Sequence, residues 1–352
     1  MTDLLLQLGL VPFFTQQLTD IDLLESRLGR VTAVQRSKLT VFTATGEHLV
    51  EMSAALRDGP GEERPTVGDW VVLDASLSLL EQVLERKSLF RRLGAGTRHE
   101  LQPIAANIDI LFIVTSCNDE FRESRLERYL ALCAEAGALP VIVLTKTDLA
   151  DDVDDYVRRA RTTQAGVAVE AINALDPDTF SGVRSWIDST TTVALVGSSG
   201  VGKSTLLNSL AGASLTATGG IREQDKKGRH TTTHRELHIL PEGGLLVDVP
   251  GMRELRVAEV EHSLGTVFDD IEQLAGQCRF ADCQHQSEPG CAVRQAIEDG
   301  QLDPRRLHNY QKLLRENAQA TASLAEKRAQ GRSFARMVKE VKKIKQDKGS
   351  EN

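Results

Sequence analysis

The sequence predicts an α/β phosphate-loop domain with a mostly parallel sheet, preceded by a small β-barrel and followed by a helical, metal-binding unit. Three observations carry this. Unbroken apolar runs (Ile108 to Thr115, Pro140 to Leu144, Val193 to Val196) are separated by helix-like stretches, the pattern of a parallel sheet covered on both faces. Gly197-Ser198-Ser199-Gly200-Val201-Gly202-Lys203-Ser204 fits the phosphate-loop pattern and lies between a strand-like and a helix-like run. Cys278, Cys283, His285 and Cys291 gather four metal-capable side chains late in the chain.

Residues 1–26 read as a short helical lead-in. Residues 27–95 read as the barrel. Gly29 to Val34 and Leu39 to Thr43 alternate, a turn follows at Thr45-Gly46-Glu47, and His48 to Met52 and Val67 to Leu73 are strand-like. Short strands at this spacing form an OB-fold or a small SH3-like barrel, and the OB-fold is the expectation. Residues 96–262 form the α/β unit, with helices over Arg122 to Gly137, about Asp152 to Arg161 and Ser204 to Ala211, and further strands at Val167 to Val169 and Leu245 to Val247. Residues 263–352 are helical around the Cys/His cluster, with a basic tail. There is no internal repeat.

The site residues follow from chemistry. The glycines at 197, 200 and 202 let backbone N–H groups turn toward phosphate oxygens, with a helix N-terminus behind them. Lys203 places a cation on the β/γ-phosphates and so serves catalysis as well as binding. Ser204 offers a hydroxyl to Mg²⁺, and Thr205 follows it. Asp248-Val249-Pro250-Gly251 ends the Leu245 to Val247 strand. Alone it is a turn after a strand. Beyond a phosphate loop, Asp248 holds Mg²⁺ through water and the Gly251 N–H meets the γ-phosphate. Between them lies Lys227 to Thr233, where Thr231 or Thr232 closes over Mg²⁺.

Thr145-Lys146-Thr147-Asp148 ends the Val141 to Leu144 strand and reads as a guanine-recognition element. Asp148 accepts from guanine N1–H and N2–H₂, a donor pair that adenine lacks. Lys146 lays its stem along the base. The usual first residue is Asn, so Thr145 is expected to weaken the link to the phosphate loop. Asn173-Ala174 is the candidate loop whose backbone N–H reads guanine O6. This element precedes the phosphate loop, the reverse of the ordinary GTPase order, so the domain is expected to be circularly permuted. Ras-like GTPases carry a water-orienting Gln after D-x-P-G. Here it is Met252, so slow intrinsic hydrolysis is expected, with His230 the nearest polar group to assist.

Cys278-x₄-Cys283-x-His285-x₅-Cys291 fits one structural Zn²⁺, while Cys117 and Cys133 read as core filler. An odd count of five cysteines favours a reducing, cytoplasmic setting. Met1 to Phe14 is apolar but lacks the charged start of a signal peptide, and no run is long enough to span a bilayer. The formal net charge is −8, yet Lys327 to Lys348 holds nine Lys or Arg against two acids. That tail places Phe334, Met337, Val338, Val341 and Ile344 at helical spacing. It packs on the zinc unit, meets RNA phosphate, or both; a membrane-surface role has no other support.

With these elements in view the chain resembles the RsgA (YjeQ) family of circularly permuted GTPases. The likeness rests on the motif order, on Gln102-Pro103-Ile104-Ala105-Ala106-Asn107, on Gly228-Arg229-His230-Thr231-Thr232 and on the Cys/Cys/His/Cys cluster. It covers nearly the whole chain from about Gly29. The resemblance implies an OB domain, a permuted G domain binding GTP or GDP with Mg²⁺, and a zinc domain. It also implies the small ribosomal subunit and its rRNA as partners, with GTP hydrolysis stimulated by the subunit. The protein is expected to be a monomer with no membrane partner. The other readings are a GTP-dependent RNA-binding translation factor and a zinc/OB scaffold that holds nucleotide without turnover.

Overall fold

The computed structural model describes residues 2–18, 27–35, 38–93, 101–212, 236–248 and 261–322. Two short helices open the chain, α1 (Thr2–Gln7) and α2 (Pro12–Thr15). Leu5, Leu8, Leu10 and Phe14 are buried, so this lead-in belongs to the core. Pro12 starts α2, where a missing N–H costs nothing.

Five strands then close a barrel: β1 (Leu28–Gln35), β2 (Lys38–Thr43), β3 (Gly46–Met52), β4 (Trp70–Leu73) and β5 (Leu79–Val83). The helix α3 (Ala54–Asp58) follows β3. Pairing runs β1-β2-β3-β5-β4 and returns from β4 to β1, an OB-like order. Alternation sends Val31, Leu39, Val41, Val50, Val71, Leu73 and Leu80 inward to a dry interior. The sequence reading lacked β5, because only Leu80 of that strand is fully buried.

A two-stranded ribbon leads out of the barrel, β6 (Leu89–Leu93) with β7 (Leu101–Ala106). The Gln102 to Ala106 stretch is thus itself a strand. It presses against the barrel at Gly68, where an added Cβ would lie 2.1 Å from the Ala106 carbonyl oxygen. Only glycine fits there, and its φ of +90° favours glycine independently. Asn107, left-handed at φ +56°, uses both ends of its amide: Nδ2 donates to the Gly68 carbonyl and Oδ1 accepts from the Lys87 N–H.

The α/β unit follows with β8 (Ile110–Ser116), α4 (Glu123–Ala136), β9 (Leu139–Thr145), α5 (Val153–Arg161), β10 (Ala168–Ala171), α6 (Ser181–Ser185), β11 (Thr192–Val196), α7 (Lys203–Ala211), β12 (Glu236–Ile239) and β13 (Leu245–Asp248). The strand order is β10-β9-β8-β11-β13-β12, parallel except for β12. Alternate residues of β8 serve opposite faces: Leu111 and Ile113 pack with α4 residues Leu126 and Leu130, Phe112 and Val114 with α7 residues Leu206 and Leu210. The left-handed Gly137 ends α4, as the sequence predicts. The strand β12 escaped the sequence reading. It joins the sheet to the barrel, since Glu236 pairs with Asp248 on one side and with Ala33 of β1 on the other. A bulge between Val31 and Ala33 turns β1 from β4 toward β12.

Helices α8 (Glu261–Val267), α9 (Asp269–Ala275), α10 (Ala292–Glu298) and α11 (304–322) complete the described chain. No helix among the described residues is long and apolar enough to cross a membrane. The basic tail from Lys327 lies outside the described residues. The C-terminal helices dock on α4 through Glu127, whose side chain is fully buried. Arg305, Arg306 and Asn309 all donate to its carboxylate. Burial raises the Glu127 pKa, opposed by hydrogen bonds and charge from Arg305 and then by Arg306 and Asn309.

Removing one member of such a buried group strands the others. Glu127→Gln is expected to destabilise the protein by about 3–5 kcal/mol. Urea denaturation with hydrogen exchange across 304–322 measures it, and an unchanged midpoint would contradict the assigned role.

Candidate functional site

The parallel strands β8, β9, β10, β11 and β13 end at one edge of the sheet. Their sequence runs outward from β8 through β9 to β10, then restarts at β11 beside β8 and continues to β13. Ligands of open α/β sheets bind in the crevice at such a reversal. The phosphate loop leaves β11 at this point.

Gly197, at φ +147°, begins the loop against β8, where a Cβ would lie 2.1 Å from the Val114 carbonyl oxygen. Gly200 and Gly202 also take positive φ, and α7 starts at Lys203 with its N-terminus toward the loop. Val201 is buried in the core, while Ser199, Gly200 and Ser204 are exposed and Ser198, Lys203 and Thr205 half-buried. The Lys203 ammonium donates to the Ser198 carbonyl oxygen, within the loop it would use to hold phosphate.

At the end of β9, Thr145 is buried and Lys146 is left-handed at φ +58°. A 3₁₀ turn over Thr147–Leu149 then presents Asp148 to solvent. The expected weakening at Thr145 is not what the structure has. Its hydroxyl donates to the Val201 carbonyl at 2.5 Å, with the Thr115 carbonyl 3.2 Å away. The base-recognition element is therefore tied directly to the phosphate loop. A second tie comes from α7, whose Ser209 hydroxyl donates to the Ala174 carbonyl at 3.4 Å. Asn173 shapes that loop: its Oδ1 accepts from the Leu175 N–H at 3.0 Å and its N–H donates to the Thr179 hydroxyl at 3.1 Å.

Asp248 ends β13, next to β11, and is half-buried. One sheet edge thus carries Thr145 to Asp148, Asn173 and Ala174, the phosphate loop through Thr205, and Asp248. His230, Thr231, Thr232 and Gly251 lie outside the described residues. Sequence reasoning missed Ser209 and Arg125. Arg125, near the start of α4, donates to the Ser198 hydroxyl. Neither belongs to a motif, so only proximity in space finds them.

The metal candidates converge. The ligand atoms of Cys278, Cys283, His285 and Cys291 lie within 4.8 Å of one another. Cys278 Sγ is 3.9 Å from Cys291 Sγ and 3.7 Å from His285 Nδ1, and Cys291 Sγ is 3.4 Å from the same nitrogen. Tetrahedral zinc, with bonds of about 2.3 Å to sulfur and 2.0 Å to nitrogen, sets such edges at about 3.8 and 3.5 Å. The donor set fits that ion. A left-handed His285, at φ +58°, makes the tight return from Cys283 possible. Cys117 and Cys133 stand apart and buried, as core filler should. Burial pushes the Cys117 thiol up to about 11 and the Cys133 thiol higher still.

Comparison with known proteins gives concordant matches. The family described as RsgA GTPase matches residues 83–258. Small ribosomal subunit biogenesis GTPase RsgA 2 of Vibrio parahaemolyticus is 48% identical over 335 residues, covering 95% of this chain and 92% of the relative. Small ribosomal subunit biogenesis GTPase RsgA of Mesorhizobium japonicum is 45% identical, covering 90% and 91%. Among solved structures, YjeQ from Thermotoga maritima aligns with a TM-score of 0.62 at 26% identity, over 82% of this chain and 98% of that one. YloQ, described as a circularly permuted GTPase, aligns at 0.57 and 25% identity, over 82% and 94%.

Two expectations follow. Thr145→Val keeps the side-chain shape but strands the Val201 carbonyl. It should weaken GDP binding about tenfold, while Thr145→Ser stays near wild type; equal affinities for the two variants in a fluorescent-nucleotide titration would refute the tie. Metal analysis of protein purified without chelator should give one zinc per chain, falling sharply in Cys283→Ser. A metal-free, folded wild type would exclude the centre.

Proposed function

This chain belongs to the RsgA GTPase family, and on that premise we propose that it hydrolyses GTP to GDP and phosphate during late maturation of the small ribosomal subunit. It binds the subunit and its rRNA with GTP, and hydrolysis stimulated by the subunit releases it. The observation that carries the reading is a pair of ties, Thr145 to Val201 of the phosphate loop and Ala174 to Ser209 of the helix that follows it, which join both base-reading loops to the phosphate-loop unit. A site so joined is suited to one nucleotide, bound at base and phosphate together.

In this reading Asp148 takes the guanine edge, Lys146 covers the base, and the Asn173-Ala174 backbone meets O6. Lys203 neutralises the β/γ-phosphates, while Ser204 and Asp248 hold Mg²⁺, the latter through water. Thr231 or Thr232, Gly251 and His230 complete the γ-phosphate side. The division into 27–95, 96–262 and 263–352 assigns the barrel and the zinc unit to RNA and the centre to nucleotide. A structural Zn²⁺ stiffens the Cys278 to Cys291 loop, and the protein works as a cytoplasmic monomer. The names of the relatives, small ribosomal subunit biogenesis GTPases, support the choice of partner.

GTP hydrolysis should be slow for the protein alone, rise at least about tenfold with small subunits and stay near basal with large subunits. Steady-state phosphate release measures all three. No stimulation by either subunit would favour a scaffold that holds nucleotide without useful turnover, and stimulation by both would point to a general translation factor.

A further inference from the structure

Ser198 accepts hydrogen bonds from two cations. The Lys203 ammonium donates to its carbonyl oxygen and the Arg125 guanidinium to its hydroxyl. They arrive from opposite sides: Lys203 begins α7, which packs with Phe112 and Val114, while α4 carries Arg125 on the face of Leu111 and Ile113. The other contacts of Arg125 are long, 3.3 Å to the Glu120 carbonyl and 3.4 Å to its carboxylate, and its side chain is 37% exposed. Two positive charges on one neutral residue repel each other. An anion placed between them reverses the sign of that interaction, and a phosphate loop is built to receive one.

The loop geometry indicates which phosphate. The lysine of such a loop serves the β- and γ-phosphates. Lys203 rests on Ser198, so Ser198 marks the β/γ end, and Arg125 stands at that end too. The base end lies with the loops after β9 and β10.

We propose that Arg125 is a second phosphate-binding cation, which leaves the Ser198 hydroxyl to engage the terminal phosphate oxygens of a nucleoside triphosphate. The inference rests on the guanine-nucleotide reading above and adds to it a residue that distinguishes triphosphate from diphosphate. Arginine suits the task because its planar fork can meet two phosphate oxygens at once and stays charged at any working pH. The Ser198 hydroxyl already holds the side chain against the loop, so little ordering is needed to meet a nucleotide.

The test is equilibrium binding of fluorescent GDP and of a fluorescent, non-hydrolysable GTP analogue to wild type, Arg125→Met and Arg125→Lys. Arg125→Met keeps length and apolar stem but removes the charge. It should weaken the triphosphate analogue about tenfold or more, the size of one charge-assisted hydrogen bond, with GDP within about twofold. Arg125→Lys, which keeps the charge but not the fork, should recover part of the loss. Equal weakening of both nucleotides would mean that Arg125 only props the loop, and no change in either would mean that it is a solvated charge; each result overturns the proposal. Wild type that bound neither nucleotide would instead defeat the guanine-nucleotide reading itself.

Discussion

A single buried guanidinium holds four parts of the chain to one another. Arg30 of β1 donates to the carbonyls of Leu8, Gly68 and Asn107 and to the Thr192 hydroxyl, and lies 5.6 Å from the centre of the Trp70 ring. Burial lowers its pKa to about 10, against the pull of Asp109 and Asp69, so it is charged at neutral pH. An isolated charge in such a place would be prohibitive. Here each nitrogen of the fork meets an oxygen, and those oxygens belong to the lead-in, the barrel, the turn after β7 and the first residue of β11. Without Arg30 the Leu8 and Asn107 carbonyls would lose this donor, at about 1–3 kcal/mol apiece. The strand that feeds the phosphate loop therefore begins at an anchor shared with the barrel.

Helix α4 does the corresponding work on the other side. Near its start Arg125 reaches the phosphate loop. Two residues on, Glu127 receives Arg305, Arg306 and Asn309. At its end Glu135 accepts from Arg91 of β6 and from Ser263 of α8, and Arg91 lies 3.5 Å from Glu62 of the barrel. The exposed pairs are worth little individually, but the Glu127 carboxylate is fully buried. The same helix thus touches the phosphate loop, the C-terminal helices and the barrel side.

Much of this was legible beforehand. The glycines of the phosphate loop, the Thr145 to Asp148 element and the Cys/His spacing announce their chemistry because their residue types have few other uses at those intervals. Strands β8, β9 and β11 were legible because burial on both faces leaves nothing but apolar residues. What escaped depends on partners distant in sequence. Glu127 sits in a helix rich in charges and looks like a solvent-facing acid until α11 covers it. Strand β12 is four residues long and is defined by its neighbours β13 and β1. Thr145 looked like a defect because sequence compares it with Asn, whereas the loop needs only a donor aimed at Val201, and a hydroxyl supplies one.

The reversal of strand order at the β8–β11 boundary also sets a timetable for synthesis. Strands β8, β9 and β10 are consecutive in the chain and adjacent in the sheet, so they are the local contacts a nascent chain can make first. Strand β11 follows and must lie along β8, then β13 along β11. A partly made chain therefore owns both of the loops proposed to read the base before it owns the glycine loop proposed to wrap the phosphates. On the site assignment proposed above, nucleotide does not act as a template for the first half of the domain. It can only reward the arrival of the second, when α7 closes over an edge that has been waiting for it.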